Sequence, residues 1–171
     1  MVEEVTVLKR WTGKAHANVI FDSTVDEFTN NGLFAKTRGK PNVAVVGFTT
    51  DGDVFGGFYS CAVTKQVEWF NDPNIFAFSF ESHGRCMTPQ RFLVRERRRH
   101  SSYVCFNPGD ANNGFVYFGE YGGLGLGDER VDAWCGDLSR EFEGLEDTTL
   151  SGKNGHGCFH HCTRLLAVQL S

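Results

Sequence analysis

A glycine-rich, aromatic hairpin constrains the fold of this chain more than any other feature. It covers residues 48–60 and has the sequence FTTDGDVFGGFYS. Asp51 and Gly52 tolerate the positive φ angles that match strand twist in tight turns, and both flanks are rich in β-branched and aromatic residues. Glycine inside a strand costs backbone entropy and packs no side chain. The sequence therefore predicts that another group lies close against Gly56 and Gly57.

Further strands are predicted by short apolar runs between turn residues. The run Val43–Val46 is apolar at both odd and even positions, which is typical of a central strand covered on both faces. In residues 75–81, Phe76, Phe78 and Phe80 share one face, which we expect to enter the core. Other strands are predicted at 92–97, 103–106, 115–121, 131–135 and 161–170. Together they indicate a mostly β (α+β) fold, a two-layer antiparallel β-sandwich with a few short helices at its ends and edges.

One of those helices is predicted to begin at Thr24. Thr24 and Glu27 have the spacing of a capping box, in which each side chain satisfies a backbone N–H of the first helical turn. We expect residues 30–32 to end or interrupt this helix, because two asparagines and a glycine follow one another there. The side chains expected to face inward are Val25, Phe28 and Phe34. Residues 1–10 are expected to form a short leading strand or arm.

Length and composition predict one domain over residues 1–171. A chain of this length can bury a sizeable core, and its 16 Phe and 20 Gly are typical of a folded β-rich protein. No apolar run reaches the roughly 18 residues that a membrane helix needs. The acidic N-terminus does not resemble a secretory signal, so we expect a cytoplasmic protein whose six cysteines stay reduced and structural.

The hairpin and the strands around it resemble the TLDc domain, the module of oxidation-resistance and TBC/LysM-associated proteins. In that family a hydrophobic strand, a Phe-Gly-Gly-aromatic strand and a Phe-x-Phe strand follow one another, as 43–46, 54–59 and 75–80 do here. Residues 122–127 resemble the family's glycine-rich strand, residues 137–140 its Asp-Leu stretch and residues 159–170 its closing strand. The resemblance covers roughly Trp11 to Ser171 and rests mainly on the order of these segments.

This resemblance implies a non-catalytic protein-interaction domain without a cofactor. Members of the family are associated with oxidative-stress resistance, and several bind the vacuolar proton-pumping ATPase (V-ATPase). The family's closing strand commonly carries a glutamate followed by a tryptophan, whereas this chain has Gln169 and ends with Leu170 and Ser171. Because glutamine cannot ionise, the sequence indicates a divergent, stand-alone member.

Histidines and cysteines, which are common metal ligands, cluster near the C-terminus. The five weak candidate ligands are His156, Cys158, His160, His161 and Cys162. If this segment is extended, Cys158 and Cys162 lie about 13 Å apart along the strand, too far to share one zinc ion. No second cysteine pair with ligand spacing is present in the sequence. We therefore expect no metal and no cofactor.

A run of basic side chains indicates a protein-binding surface. On an extended strand Arg95, Arg97 and Arg99 would project to one side, and Arg98 lies among them. Such a stripe suits an acidic protein or a lipid headgroup, although it also suits a charged edge strand that simply stays in solvent. Without interleaved exposed aromatics we do not expect nucleic-acid binding. The acidic residues 141–147 are a further cluster that could face these arginines.

Two other functions stay open on the sequence. A small redox or hydrolytic enzyme would use a Cys/His site, yet no nucleophile motif is present. His83 follows a predicted core strand and is a possible site residue, but a turn in which Glu81 pairs with Arg85 is the explanation that we favour. A carbohydrate-binding sandwich would expose a tryptophan, and Trp11, Trp69 and Trp134 are available.

Overall fold

The computed structural model describes residues 2–109, 114–120, 123–130, 133, 135–153 and 160–171. Two antiparallel sheets form a mostly β sandwich, as predicted. Its strands are β1 (Ala17–Asp22), β2 (Val43–Thr49), β3 (Val54–Tyr59), β4 (Phe70–Asn71), β5 (Phe76–Glu81), β6 (Gln90–Leu93), β7 (Tyr103–Phe106), β8 (Val116–Phe118), β9 (Leu124–Leu126) and β10 (Cys162–Leu170). Its α-helices are α1 (Val2–Thr12), α2 (Asn30–Thr37) and α3 (Leu138–Glu141).

Counted over the described residues, the larger sheet has six strands in the order β1-β10-β2-β3-β5-β6, and the smaller has four in the order β4-β7-β8-β9. Strand β2 lies inside the larger sheet and all of Val43–Val46 is buried, which confirms the prediction of a strand covered on both faces. Val43 and Val45 contribute to the core between the two sheets, whereas Ala44 and Val46 belong to a second core on the opposite face.

The second core lies under helix α1. Leu8 of this helix is buried, and Trp11 packs against Phe76, Phe78 and Phe80. The expectation that residues 1–10 form a strand or arm is therefore wrong. Residues 2–10 are helical because their apolar side chains recur at helical spacing and have an apolar sheet face to cover.

The aromatic face of β5 also lies on an unexpected side. Phe76 and Phe78 belong to the core under α1, whereas their neighbour Ala77 faces the space between the sheets. Alternation along a strand separates two faces but does not state which layer each face meets. The prediction that Phe76, Phe78 and Phe80 share a face is confirmed, but the single core that we expected is in fact two cores.

The Gly56–Gly57 pair permits close packing, as predicted. The ring of Phe118 from the second sheet lies directly over Gly57, so that an ideal Cβ there would approach it to 2.6 Å. At Gly56 the carbonyl oxygen of Val45 occupies the corresponding space. The turn itself differs from the expectation, because Gly52 has φ +87° whereas Asp51 has no positive φ. A four-residue loop connects β2 to β3, so only one positive-φ residue is needed.

Helix α2 begins later than the sequence predicted. Thr29, not Thr24, is its N-cap and accepts a hydrogen bond from the N–H of Gly32 at 2.9 Å. Thr24 instead donates its hydroxyl and its backbone N–H to Asp22, which forms a local turn. The prediction that Val25 faces inward is wrong, since it is 83% exposed, while Phe28 and Phe34 do pack against the core.

Several strands begin or end at other residues than the sequence predicted. Strand β8 covers only 116–118, because Gly119 takes a φ of +99° and turns the chain. Of the predicted strand at 131–135, Cys135 forms an isolated bridge to Leu124, and residues 131, 132 and 134 lie outside the described residues. Among the described residues the longest helix has 11 residues, too short to cross a bilayer.

Candidate functional site

The arginines at 95–99, which we call the arginine segment, do not lie on a strand. Strand β6 ends at Leu93, and residues 96–98 form one turn of 3-10 helix. The backbone N–H of Arg95 donates to the carbonyl of Glu141 at 2.8 Å, which directs the chain toward helix α3. The predicted strand at 92–97 is therefore wrong beyond Leu93, and Arg95, Arg97 and Arg99 do not share one side of a strand.

Two of the four arginines are engaged inside the molecule. Arg98 donates to Glu141 at 2.7 Å and also to Glu120. Arg95 donates to the carbonyl of Ser139 at 2.6 Å and to Glu143 at 3.2 Å. Because Glu141 is only 3% exposed, its pair with Arg98 is a partly buried contact that fixes the position of the arginine segment. The acidic cluster that we identified in the sequence thus holds these two arginines in place.

The other two arginines are exposed. Arg99 pairs with Glu96 at 3.2 Å, but both side chains are well exposed, so the pair stabilises little. Arg97 makes no hydrogen bond or ion pair with any described residue. Together with Arg98 and Arg140 it lines a small concavity of about 280 Å³. Because Arg98 is already paired with Glu120 and Glu141, Arg97 and Arg140 are the guanidinium groups there that favour an anionic group of a partner.

A larger groove, which we call the aromatic groove, lies on another side of the arginine segment. It has a volume of about 470 Å³ and a floor that includes Phe58 and Phe76. Arg91 lies over the ring of Phe76, 5.8 Å from its centroid, and donates to the carbonyl of Trp11. Other residues that line this groove are Leu93, Glu96 and Arg99.

The weak candidate metal ligands have separate structural partners where the structure describes them. His160 is buried, donates from Nε2 to the carbonyl of Gly125 at 2.7 Å, and packs edge-on against Phe55. Burial lowers the pKa of His160 to about 4, so its ring is neutral near pH 7. His156 and Cys158 lie outside the described residues.

His161 and Cys162 also have other partners. The Nδ1 of His161 lies 3.3 Å from the carbonyl of Asp128. The Cys162 thiol lies in the core against Gly47, so close that a side chain at Gly47 would have its Cβ 2.7 Å from the sulfur. Burial raises the pKa of Cys162 to about 12, which disfavours the thiolate that would bind a metal. In the part of the chain that the structure describes, no three metal-binding side chains cluster.

His83 pairs with a residue that the sequence did not suggest. Its Nδ1 donates to the buried carboxylate of Asp53 at 2.8 Å, and Arg85 donates to the same oxygen at 2.5 Å. Arg85 therefore pairs with Asp53 rather than with Glu81, which accepts the backbone N–H groups of residues 82 and 83. A carboxylate that orients a histidine is found in hydrolases, but among the described residues no hydroxyl or thiol bonds to His83.

Buried thiols are poor nucleophiles in this chain. Burial raises the pKa of Cys61 and Cys105 to about 11 and that of Cys135 to about 12. Only a thiolate attacks efficiently, so these three side chains are chemically inert at neutral pH. For carbohydrate binding, Trp69 is 44% exposed and packs edge-on against Tyr103, while Trp134 lies outside the described residues.

Sequence analysis missed Arg140 and Glu120 as neighbours of the arginine segment. Glu120 is 22 positions from Arg98 and Glu141 is 43 positions from it, so tertiary structure alone brings them together. No local pattern marks such a contact. The aromatic groove was also missed, because Trp11 belongs to a helix that the sequence did not reveal.

Two packed antiparallel sheets make this chain a β-sandwich, and exposed arginines lie beside a groove on its surface. A comparison with protein-family models matches residues 5–162 to the TLDc domain, and this chain belongs to the TLDc family. Membership supports a protein-interaction role in general terms. The matched region starts before Trp11 and ends at Cys162, so most of β10 lies beyond it. A search of curated proteins found no match.

Proposed function

We propose that this chain is a non-catalytic protein-interaction domain that acts in the cytoplasm and binds a subunit of the V-ATPase, in a setting linked to oxidative stress. The TLDc family match over residues 5–162 carries the proposal. The pump and the stress setting come from the family resemblance, and no cofactor is part of the proposed function. The four arginines of the arginine segment form the proposed contact surface.

The internal ion pairs assign different tasks to these arginines. Arg95 and Arg98 hold the arginine segment against Glu141 and Glu143, so the segment is positioned before any partner arrives. Arg97 and Arg99 supply the contacts to an acidic partner. Since a preorganised surface loses little conformational entropy on binding, more of the interaction energy contributes to affinity.

A pull-down against V-ATPase subunits tests this function. The double variant Arg97→Glu/Arg99→Glu reverses both exposed charges, and we expect at least tenfold less recovery of the bound subunit, since like charges now face each other. The control Arg10→Glu/Lys65→Glu changes the net charge equally at exposed positions elsewhere, and we expect recovery at the wild-type level. If the wild-type chain enriches no subunit under mild conditions, the V-ATPase proposal is wrong. If both double variants lose binding equally, the arginine segment is not the contact surface.

A further inference from the structure

Helix α1 covers the outer face of the larger sheet only in part, and the aromatic groove opens where the helix ends. Gly13 takes a φ of +69° directly after the last helical residue, Thr12, and turns the chain away. Trp11, the one aromatic residue of α1, is therefore the last large side chain of the helix to cover the sheet. Beyond it, Phe58 and Phe76 stack with their centroids 4.7 Å apart and form the base of the groove, where they are only 5% and 3% exposed.

The side walls of the aromatic groove combine one apolar side chain, Leu93, with two arginines, Arg91 and Arg99. Leu93, on the edge strand β6, is 51% exposed although it is a large aliphatic residue. Arg91 is held by the Trp11 carbonyl and the Phe76 ring, which leaves other N–H groups of its guanidinium for a ligand. In the described part of the chain the Arg99 side chain pairs with the exposed Glu96 alone, an interaction that a partner carboxylate can readily replace.

The charges around the groove select the occupant. Among the described residues that line it, Arg91 and Arg99 are cationic and Glu96 alone is acidic. Arg97, which has no described partner, adds a further positive charge in the same segment. We propose that the aromatic groove binds an acidic, extended segment of a partner protein through one large apolar side chain. Carboxylates on either side of that side chain then pair with Arg91 and Arg99.

The backbone of β6 favours an extended occupant. The carbonyl of Leu93 accepts the N–H of Glu143 and so points away from β5. Because backbone groups alternate in direction along a strand, the N–H and carbonyl of Arg91 point the same way. Strand β6 is the last strand of its sheet in the described residues, and residues 141–143 already pair with its edge at residues 93–95. The N–H and carbonyl of Arg91 are the groups that an extended peptide could still meet at this edge. This inference rests on the proposed protein-interaction function and specifies its ligand.

A peptide titration followed by NMR tests the inference on the full 171-residue chain. The probe is a nine-residue peptide, GDEDFDEDG, and two matched probes replace either its Phe by Ser or its acidic residues by their amides. We expect the first probe to shift the Trp11 indole and Leu93 methyl signals and each matched probe to bind at least about tenfold more weakly. Equal binding of all three probes, shifts confined to another region, or no shift at millimolar peptide would each overturn the proposal.

Variants separate this inference from the proposed function. Leu93→Asp and Arg99→Glu change exposed side chains, and each is expected to weaken binding of the first probe about tenfold or more, whereas Lys65→Glu leaves it unchanged. If Leu93→Asp recovers V-ATPase subunits at the wild-type level, the groove is not the docking site although the pump proposal stands. Peptide binding without recovery of any subunit supports the groove and refutes the pump. If vesicles with anionic lipid compete with the peptide for Arg91 and Arg99, these arginines serve a membrane surface and the proposal fails.

Discussion

The two faces of the six-stranded sheet are covered in different ways. The inner face meets a second sheet, and Phe55, Tyr59 and Phe118 are fully buried there. Among the described elements α1 is the helix that packs on the outer face, and Trp11 remains partly exposed between this helix and the sheet. A sheet covers a wide area, whereas a single helix covers only a strip of its partner. The inner face is therefore closed by a broad layer, whereas the part of the outer face beyond α1 is where the proposed aromatic groove lies.

Replacing Phe118 tests the inner face most strongly. Phe118→Ala removes the ring that lies over Gly57 and leaves a cavity between two rigid sheets, which we expect to lower the free energy of unfolding by about 4 kcal/mol. Chemical denaturation followed by circular dichroism measures the loss. If Phe118→Ala lowers the free energy of unfolding by less than Trp11→Ala does, the inner face is not the more tightly packed one.

Lowering the pH tests the inner face through His160, the buried histidine among the described residues. The pKa of His160 is about 4 in the folded protein, below its ordinary value of about 6.5, so the unfolded chain binds more protons between these pH values. Stability from neutral His160 is fully present above about pH 6.5 and is lost as pH falls toward 4, by about 3 kcal/mol in total. Urea denaturation across this pH range measures it.

His160→Gln is the matched control for that pH dependence. Glutamine retains a side-chain donor for the Gly125 carbonyl but does not titrate. The slope between pH 6.5 and 4 should therefore be largely absent in this variant, even if its stability at pH 7 is lower. The Asp22 carboxylate, whose pKa the Arg164 guanidinium holds well below its usual range, contributes mainly below pH 4 and is separable from this effect. An unchanged slope in His160→Gln would assign the pH dependence to other groups.

Replacing Trp11 tests the outer face and should have the smallest effect. Trp11→Ala removes contacts with Phe76, Phe78 and Phe80, but the site is partly open, so water can fill the space. We expect a loss of about 2 kcal/mol in the free energy of unfolding, half that of Phe118→Ala. The control Trp69→Ala removes an exposed ring that contacts Tyr103 edge-on and should cost less than about 1 kcal/mol. Equal losses at positions 11 and 69 would show that α1 does not seal the outer face.

Much of the architecture was predictable because it depends on the order of residues within short segments. Val43–Val46 indicated a strand covered on both faces, and Gly57 indicated a close neighbour, which is the Phe118 ring. Helix α1 was not predictable in this way, since a short helix is stable mainly through the surface that it covers. The start of α2 was also missed, because Thr24 and Thr29 both suit an N-cap and the competing Asp22 contact decided between them.

The candidate site was less predictable than the fold. The sequence showed a basic run at 95–99 but not its ion pairs with Glu120, Glu141 and Glu143, which depend on residues distant along the chain. These pairs leave Arg97 and Arg99 as the exposed members. The aromatic groove needed both the position of α1 and the edge of β6, and neither follows from residue periodicity alone.

The position of β10 between β1 and β2 has a consequence for biosynthesis. Val19, the third residue of β1, pairs with Val168, so β1 can pair with β10 only after the ribosome has made almost all of the chain. Contacts between such distant residues close slowly, and until then the edges of β1 and β2 are unpaired. The newly made chain thus exposes two adhesive strand edges during translation, and chaperones would have most to protect at that stage.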